Sequence, residues 1–304
     1  MLLNEEKKGE IFIFLGAVLW GLFPVITILS FNGFSPLMSL AGSTFFAAIF
    51  FAIMLTIRRR WREVGNRKAF KDILFSTLIL GVLLYVLYFF ALQYTSAGNV
   101  SIIALSEIFF SYLFFQIWHK VYMSRQHILG SIFMLLGALI ILLPNFTNFR
   151  LGDILILLVA FIAPFGNYFT VRARKEVNSE TIMFIRSLIA APIILVISLI
   201  FETNKFDLSI LGNSFLFLAI NGFLLLGLSK IFWIEGIHRI SVTKANALSS
   251  ISPLVTLLFA WVFLHDTPTH WQLLALIPLF VGTIFLGMNK NNNPATQPSR
   301  PILE

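Results

Sequence analysis

Ten apolar runs of about twenty residues, joined by short connections, leave this chain few folds to choose from. They fall near 10–30, 36–57, 72–94, 97–118, 127–144, 151–171, 181–201, 211–237, 242–264 and 269–288. Each is close to the ~20 residues with which an α-helix crosses ~30 Å of hydrocarbon. Inside hydrocarbon each run must satisfy its own backbone N–H and C=O groups, which favours helices. With 58% hydrophobic residues, 12% charged residues and 34 phenylalanines in 304 positions, the chain has too much apolar surface for a water-soluble fold. The expected fold class is an all-α integral membrane protein with ten transmembrane helices. The first run is read as a retained helix and not a cleaved leader. It follows Glu5, Glu6, Lys7 and Lys8, is too long for a leader's apolar stretch, and has no small-residue cleavage site behind it.

A formal net charge of +8 invites a nucleic-acid reading, and the placement of the charge removes it. If the N-terminus is cytoplasmic, 18 of the 22 lysines and arginines fall in inside segments, with the densest run between Arg58 and Lys71. Only Arg150 and Lys205 fall outside, and Arg186 and Lys230 lie within spans. That asymmetry follows the positive-inside rule and predicts a multi-pass protein of the cytoplasmic (inner) membrane with both termini in the cytoplasm. No nucleic-acid partner is expected; membrane lipids and a small-molecule substrate are. The chain contains no cysteine, which excludes disulfides and thiol chemistry.

A broken pattern occurs twice, about 145 residues apart. The first copy has Gly9-Glu10-Ile11, then Trp20-Gly21-Leu22-Phe23-Pro24, then Tyr85, Tyr88, Ala91-Leu92, Ser96-Ala97 and Ser101. The second has Gly152-Asp153-Ile154, Pro164-Phe165-Gly166-Asn167, then Lys230, Trp233, Gly236-Ile237, Ser241-Val242 and Asn246. Repeats that each hold an odd number of spans must enter the bilayer in opposite senses, which gives an inverted repeat around a midplane site. The expected division is 1–146 and 147–288, two five-helix repeats, with 289–304 a disordered cytoplasmic tail rich in Asn and Pro.

The junctions Ala91-Leu92-Gln93-Tyr94-Thr95-Ser96-Ala97 and Gly236-Ile237-His238-Arg239-Ile240-Ser241-Val242, with Trp20-Gly21, Pro253 and Gly152-Asp153, resemble those of EamA-type proteins. Along almost its whole length the chain is similar to ten-helix members of the drug/metabolite transporter superfamily. The resemblance implies two inverted five-helix repeats, a central cavity lined by helices 1, 3, 4, 6, 8 and 9, and alternating access for small metabolites. The chain departs from the pattern at Ile108, where helix 4 usually has proline, at Glu107 before it, and at Lys120, usually Glu.

Ionisable groups inside the membrane are costly and mark candidate sites. Glu107 lies midway along run four, where helical spacing sets Val100, Ala104 and Ser111 on its face; it is a candidate for substrate binding and for carrying a proton. Lys230 and Trp233 form an i, i+3 pair that repeat alignment places opposite Tyr85 and Tyr88. Arg186, near the start of run seven, is expected to snorkel toward water, and Glu235 to be structural. Pro24, Pro164 and Pro253 free the carbonyls of Trp20, Ala160 and Ser249, and such interruptions in the first helix of each half point to a binding site. Trp20, Asn167, Tyr168, Asn246 and Ser249 complete the expected substrate-binding set.

Five histidines at helix ends and in loops have no metal-ligand spacing, so no metal is expected, nor any cofactor. No Walker A sequence, Gly-x-Ser-x-Gly or HExxH is present, which speaks against ATP-driven transport and against an enzyme. The expected function is secondary active transport of small polar metabolites, amino acids or related zwitterionic or cationic compounds, by an exporter or exchanger that could be proton-coupled. An intramembrane enzyme or lipid-handling protein and a passive facilitator are the alternatives, and the state could be monomer or homodimer.

Overall fold

In the computed structural model the described residues are 4–119, 124–143, 150–202, 211–240 and 242–287. Residues 118, 119, 211–213, 242, 243, 246 and 287 are described by their backbone alone. The chain after 287, Lys120 and Lys205 lie outside the described residues. Ten helical spans follow one another: α1 Glu5–Ser30, α2 Pro36–Ile57, α3 Arg67–Ala91, α4 Ala97–Ile117, α5 Arg125–Leu142, α6 Leu151–Ala173, α7 Ser179–Phe201, α8 Ser214–Ile237, α9 from Val242 to Leu264 and α10 His270–Gly287. Among the described residues no strand occurs.

Uninterrupted Leu, Ile, Val and Phe with few breakers make the helices, and local chemistry sets their ends. Asn66 accepts the N–H of Lys68 at the start of α3. Pro36 occupies the first turn of α2, where its missing N–H costs nothing. The spans stay apolar all round: Phe45, Ile200 and Ile284 are exposed on the outer surface, as a lipid-facing bundle requires.

The two halves are built crosswise. Among the most extensive packings are α2 on α7 and α5 on α10, each a helix on its own repeat partner. Helix α1 of the first half packs on α8 and α9, and α6 of the second half packs on α3 and α4. The two Gly-acid openings fall at these crossings. A Cβ on Gly152 would come within 2.5 Å of the Ala91 carbonyl, and one on Gly9 within 2.8 Å of Arg239 Cβ. Only glycine lets either helix start lie that close to the turn of the other half.

Two carboxylates repeat this exchange. Glu202, just past α7, accepts hydrogen bonds from Ser35 Oγ (2.6 Å) and from the N–H groups of Leu37 (3.0 Å) and Met38 (3.3 Å), and so caps α2. Glu63, past α2, does the same on the opposite face for the start of α7, accepting from the Asn178 N–H (2.8 Å), its Nδ2 (2.6 Å) and Thr181 Oγ1 (2.8 Å). Carboxylates at helix N-termini meet unpaired N–H groups and the positive end of the dipole.

The runs at 97–118 and 242–264 were expected as single helices, and the structure divides both. α4 is Ala97–Ala104 followed by Glu107–His119, and α9 is Val242–Ser249 followed by Ser252–Leu264. Pro253 explains the second break, since it cannot donate to the helical ladder. The first forms without proline, through 3₁₀-type bonds from Leu105 to Ile102 (3.2 Å) and from Ser106 to Ile103 (3.0 Å). The face expected to unite Val100, Ala104, Glu107 and Ser111 is therefore not that of one continuous helix. The first helices of the two halves instead run unbroken through Pro24 and Pro164. Two further irregularities match across the repeat: Thr77–Leu84 in α3 and Asn221–Leu228 in α8 are π-helical. Such wide turns inside α-helices are frequent at functional sites.

Candidate functional site

Both π-helical segments end just before a polar side chain aimed inward, Tyr85 in α3 and Lys230 in α8. These repeat-equivalent residues line one small cavity with Arg186, Ser187 and Met183 of α7 and Thr44 of α2. The cavity measures about 20 Å³, room for a water and not for a metabolite. The Lys230 ammonium rests 3.7 Å from the centre of the Trp20 ring, a close cation–π contact. Trp20 stacks on Phe23 with centroids 4.9 Å apart, and Phe23 meets Tyr85 and Tyr88 at 6.2 and 5.4 Å.

Glu107 opens the second half of α4, so its carboxylate sits at a helix N-terminus, where negative charge is favoured. Asn167 Nδ2 donates to its Oε1 at 2.9 Å. Lys230 feels Arg186 as a like charge and Glu107 as an opposite one. Yet Glu107 and Lys230 form no ion pair within 4.0 Å, so they are not locked together as a strut.

Each face above and below this centre carries its own polar network. On the face carrying the N-terminus, Lys244 holds Glu10 (2.5 Å) and Glu6 (2.7 Å), and Glu235 joins Arg239 (2.7 Å) to Arg58 (2.7 Å), which also pairs with Glu180. On the far face, Asp153 accepts from Thr95 Oγ1 and from Asn99 Nδ2 (3.2 Å), and Gln272 Nε2 donates to Asn99 Oδ1 (2.8 Å) and Ser96 Oγ (3.0 Å). Glu10 and Asp153, and Lys244 and Asn99, occupy corresponding repeat positions. The first network is ionic and partly wet, and the second is neutral-to-charged and buried.

The pattern of the EamA-like transporter family matches residues 7–143 and again residues 150–288. The chain belongs to the EamA-like transporter family. Among its relatives, an uncharacterized transporter from Synechocystis is 23% identical over 71% of this chain. The chain spans 65% of that relative's length. The uncharacterized transporter YoaV of Bacillus subtilis is 21% identical over 83% of this chain and 87% of its own. A crystal structure titled only as that of a protein superposes with a TM-score of 0.70 at 16% identity, covering 92% of this chain and 96% of the other, and so shares the fold. Family and relatives point to a transporter rather than an enzyme.

Of the site residues read from the sequence, the structure brings Trp20, Tyr85, Tyr88 and Lys230 into one aromatic and cationic cluster, and bonds Asn167 to Glu107. Tyr88 is buried behind Phe23 and not on the cavity wall. Trp233 is not at the centre: it packs with Ile13, Ile240 and Ala245 near the N-terminal face. Helical spacing alone placed it with Lys230, but three residues further along α8 is nearly one turn closer to that face. Tyr168 turns the same way, its ring 5.7 Å from the Arg172 guanidinium and 6.2 Å from Phe114. Ser249 ends the first half of α9, at the break. The side chain of Asn246 lies outside the described residues.

Arg186 was expected at the water and stands instead in the cavity wall, donating to Met183 Sδ at 2.9 Å. Its place is made by Gly81, whose missing Cβ would lie 2.9 Å from Arg186 Cγ. Thr44 and Ser187 were also missed, since hydroxyls inside apolar spans are common packing groups and no local pattern set these two apart.

Proposed function

We propose that this protein is a secondary carrier that moves small charged metabolites of the amino-acid class by alternating access, and that it lies in the cytoplasmic membrane with both termini inside. The observation that carries this reading is the small central cavity itself. Equivalent positions of the two halves, Tyr85 and Lys230, meet at a charged centre too small for a substrate, between two separately sealed faces. A pore would need a continuous path; a carrier needs a central site that each seal exposes in turn. Lys230 and Glu107 together suit zwitterionic or cationic substrates. Arg186 beside Lys230 tilts the choice away from simple cations, because a second cation at one point repels another.

Lys230 and Arg186 are suited to a substrate carboxylate, Trp20 and Tyr85 to its apolar body, and Glu107 to an ammonium or a proton. The test is counterflow in proteoliposomes preloaded with an amino-acid mixture. Saturable uptake of labelled tracer that requires a trans substrate supports the carrier; non-saturating flux or steady current overturns it. Orientation is read by labelling a cysteine introduced at Arg60 with a membrane-impermeant thiol reagent on intact cells. The native chain has none, so labelling from outside removes the N-in assignment.

A further inference from the structure

We infer that the central pocket is built for an acidic amino acid, a molecule with two carboxylates and one ammonium. This deepens the carrier reading above and rests on it. Two cations, Lys230 and Arg186, line the pocket, and Glu107, outside that lining, lies within electrostatic reach of Lys230. With Glu107 ionised the set carries one net positive charge, and the charge-by-charge complement is a metabolite with one net negative charge. A neutral zwitterion leaves one buried cation unpaired, and an amine leaves two.

The partners these cations now have make the same point. Elsewhere in the molecule Arg58, Arg239 and Lys244 each hold carboxylates. Among the described residues Lys230 has an aromatic face in place of an acceptor, although an ammonium carries three donors. Arg186, with five donors, has one thioether sulfur, a weak acceptor. Both are soft contacts that a carboxylate displaces with gain, by charge-assisted hydrogen bonds of the stronger class. Two hydroxyls, Thr44 and Ser187, line the same wall and can complete a carboxylate's lone pairs. Glu107 is left with a single side-chain bond, from Asn167, and keeps acceptor capacity for an ammonium. The cavity holds only about a water's volume in this conformation, so the ligand enters when one face opens and draws the three charged groups around it.

The experiment is a thermal-unfolding panel on the purified full-length protein in detergent at fixed ionic strength, with glutamate, aspartate, glutamine, lysine, succinate and inorganic phosphate. Glutamate or aspartate should raise the unfolding midpoint at lower concentration than succinate, and succinate at lower concentration than glutamine or lysine. Lys230→Met and Arg186→Met should each weaken the acidic ligand by about tenfold or more, the loss of one charged hydrogen-bonded pair. Lys230→Arg keeps the charge and should retain most of the binding, which separates recognition from misfolding. Glu107→Gln should bring glutamate down to the level of succinate. Equal or better stabilisation by glutamine, lysine or phosphate overturns the assignment, as does full retention of glutamate binding in both methionine variants. A panel in which nothing shifts the midpoint overturns it too, while the carrier reading stands if other solutes exchange in the proteoliposome assay.

Discussion

Replacing Asp153 by alanine should open the far face and leave the N-terminal face shut. Asp153 is fully buried, with Asn99 and Gln272 nearly so, at 6% and 3% exposure. Its carboxylate takes the Thr95 hydroxyl and both contacts of the Asn99 amide, at 3.2 and 3.3 Å. Without it, the buried Asn99 amide is left with a stranded donor in the closed state, while the half-buried Thr95 hydroxyl can turn to water. A stranded donor costs about 1–3 kcal/mol. In the open state water satisfies it, so the penalty falls on closure alone. With 1.4 kcal/mol to a factor of ten, the middle of that range, about 2 kcal/mol, shifts the equilibrium toward the open far face by more than tenfold. A cysteine at Ser187, on the cavity wall, is the reporter in this cysteine-free chain. Asp153→Ala should raise its labelling rate by an impermeant reagent from the far side by at least tenfold, with no change from the N-terminal side. Lys244→Ala should do the reverse with a smaller factor, because Lys244 is 37% exposed and its ion pairs are screened. Labelling that rises equally from both sides would mean that Asp153 only stabilises the bundle, and an unchanged rate would refute the gate.

Glu107→Gln should abolish concentrative uptake and spare exchange in proteoliposomes if Glu107 carries a coupling proton; undiminished uphill transport would remove it from coupling. Glu202→Ala removes the cap of α2 together with the Ser198 Oγ bond of 2.8 Å, and at about 1–2 kcal/mol should lower the apparent melting midpoint by a few degrees. Glu63→Ala should cost a similar amount at the start of α7, since it caps through the same kind of contacts; a neutral result for both would show that these caps are replaced by water or lipid headgroups.

The helical spans and the two repeats were legible because each leaves a local signature. Twenty apolar residues make a span whatever they pack against, and a lone Lys or Glu inside one is conspicuous. The π-helical segments were not legible: Thr77–Leu84 and Asn221–Leu228 are ordinary apolar stretches with no local marker of a widened turn. The break in α4 was hidden for the opposite reason. Its expected marker, proline, is Ile108, and the turn forms through backbone bonds alone. Arg186 was misplaced because a long side chain near a span's end can reach either way, and the decision belongs to Gly81 on another helix.

The backbone repeats more faithfully than the side chains do, and the chemistry lies in the difference. A break falls at the same point in α4 and α9, yet the residue that opens the second half-helix is Glu107 in one and Ser252 in the other. A π-helical turn precedes both Tyr85 and Lys230, so one half offers a phenol and the other an ammonium to the same cavity. At the seals, Asn99 answers Lys244. In the carrier proposed above, a symmetric frame would supply two conformations of similar energy, because either face would close by the same packing. Equal side chains in both halves would give a pocket with no preferred orientation for its ligand and two seals of equal strength. Substituting charge on one side of the pseudo-twofold gives the ligand a direction and makes one seal sensitive to salt while the other is not. Raising ionic strength should therefore weaken the Lys244–Glu10 side before the buried Asp153 side, and exposure of the central cysteine from the N-terminal face should rise first.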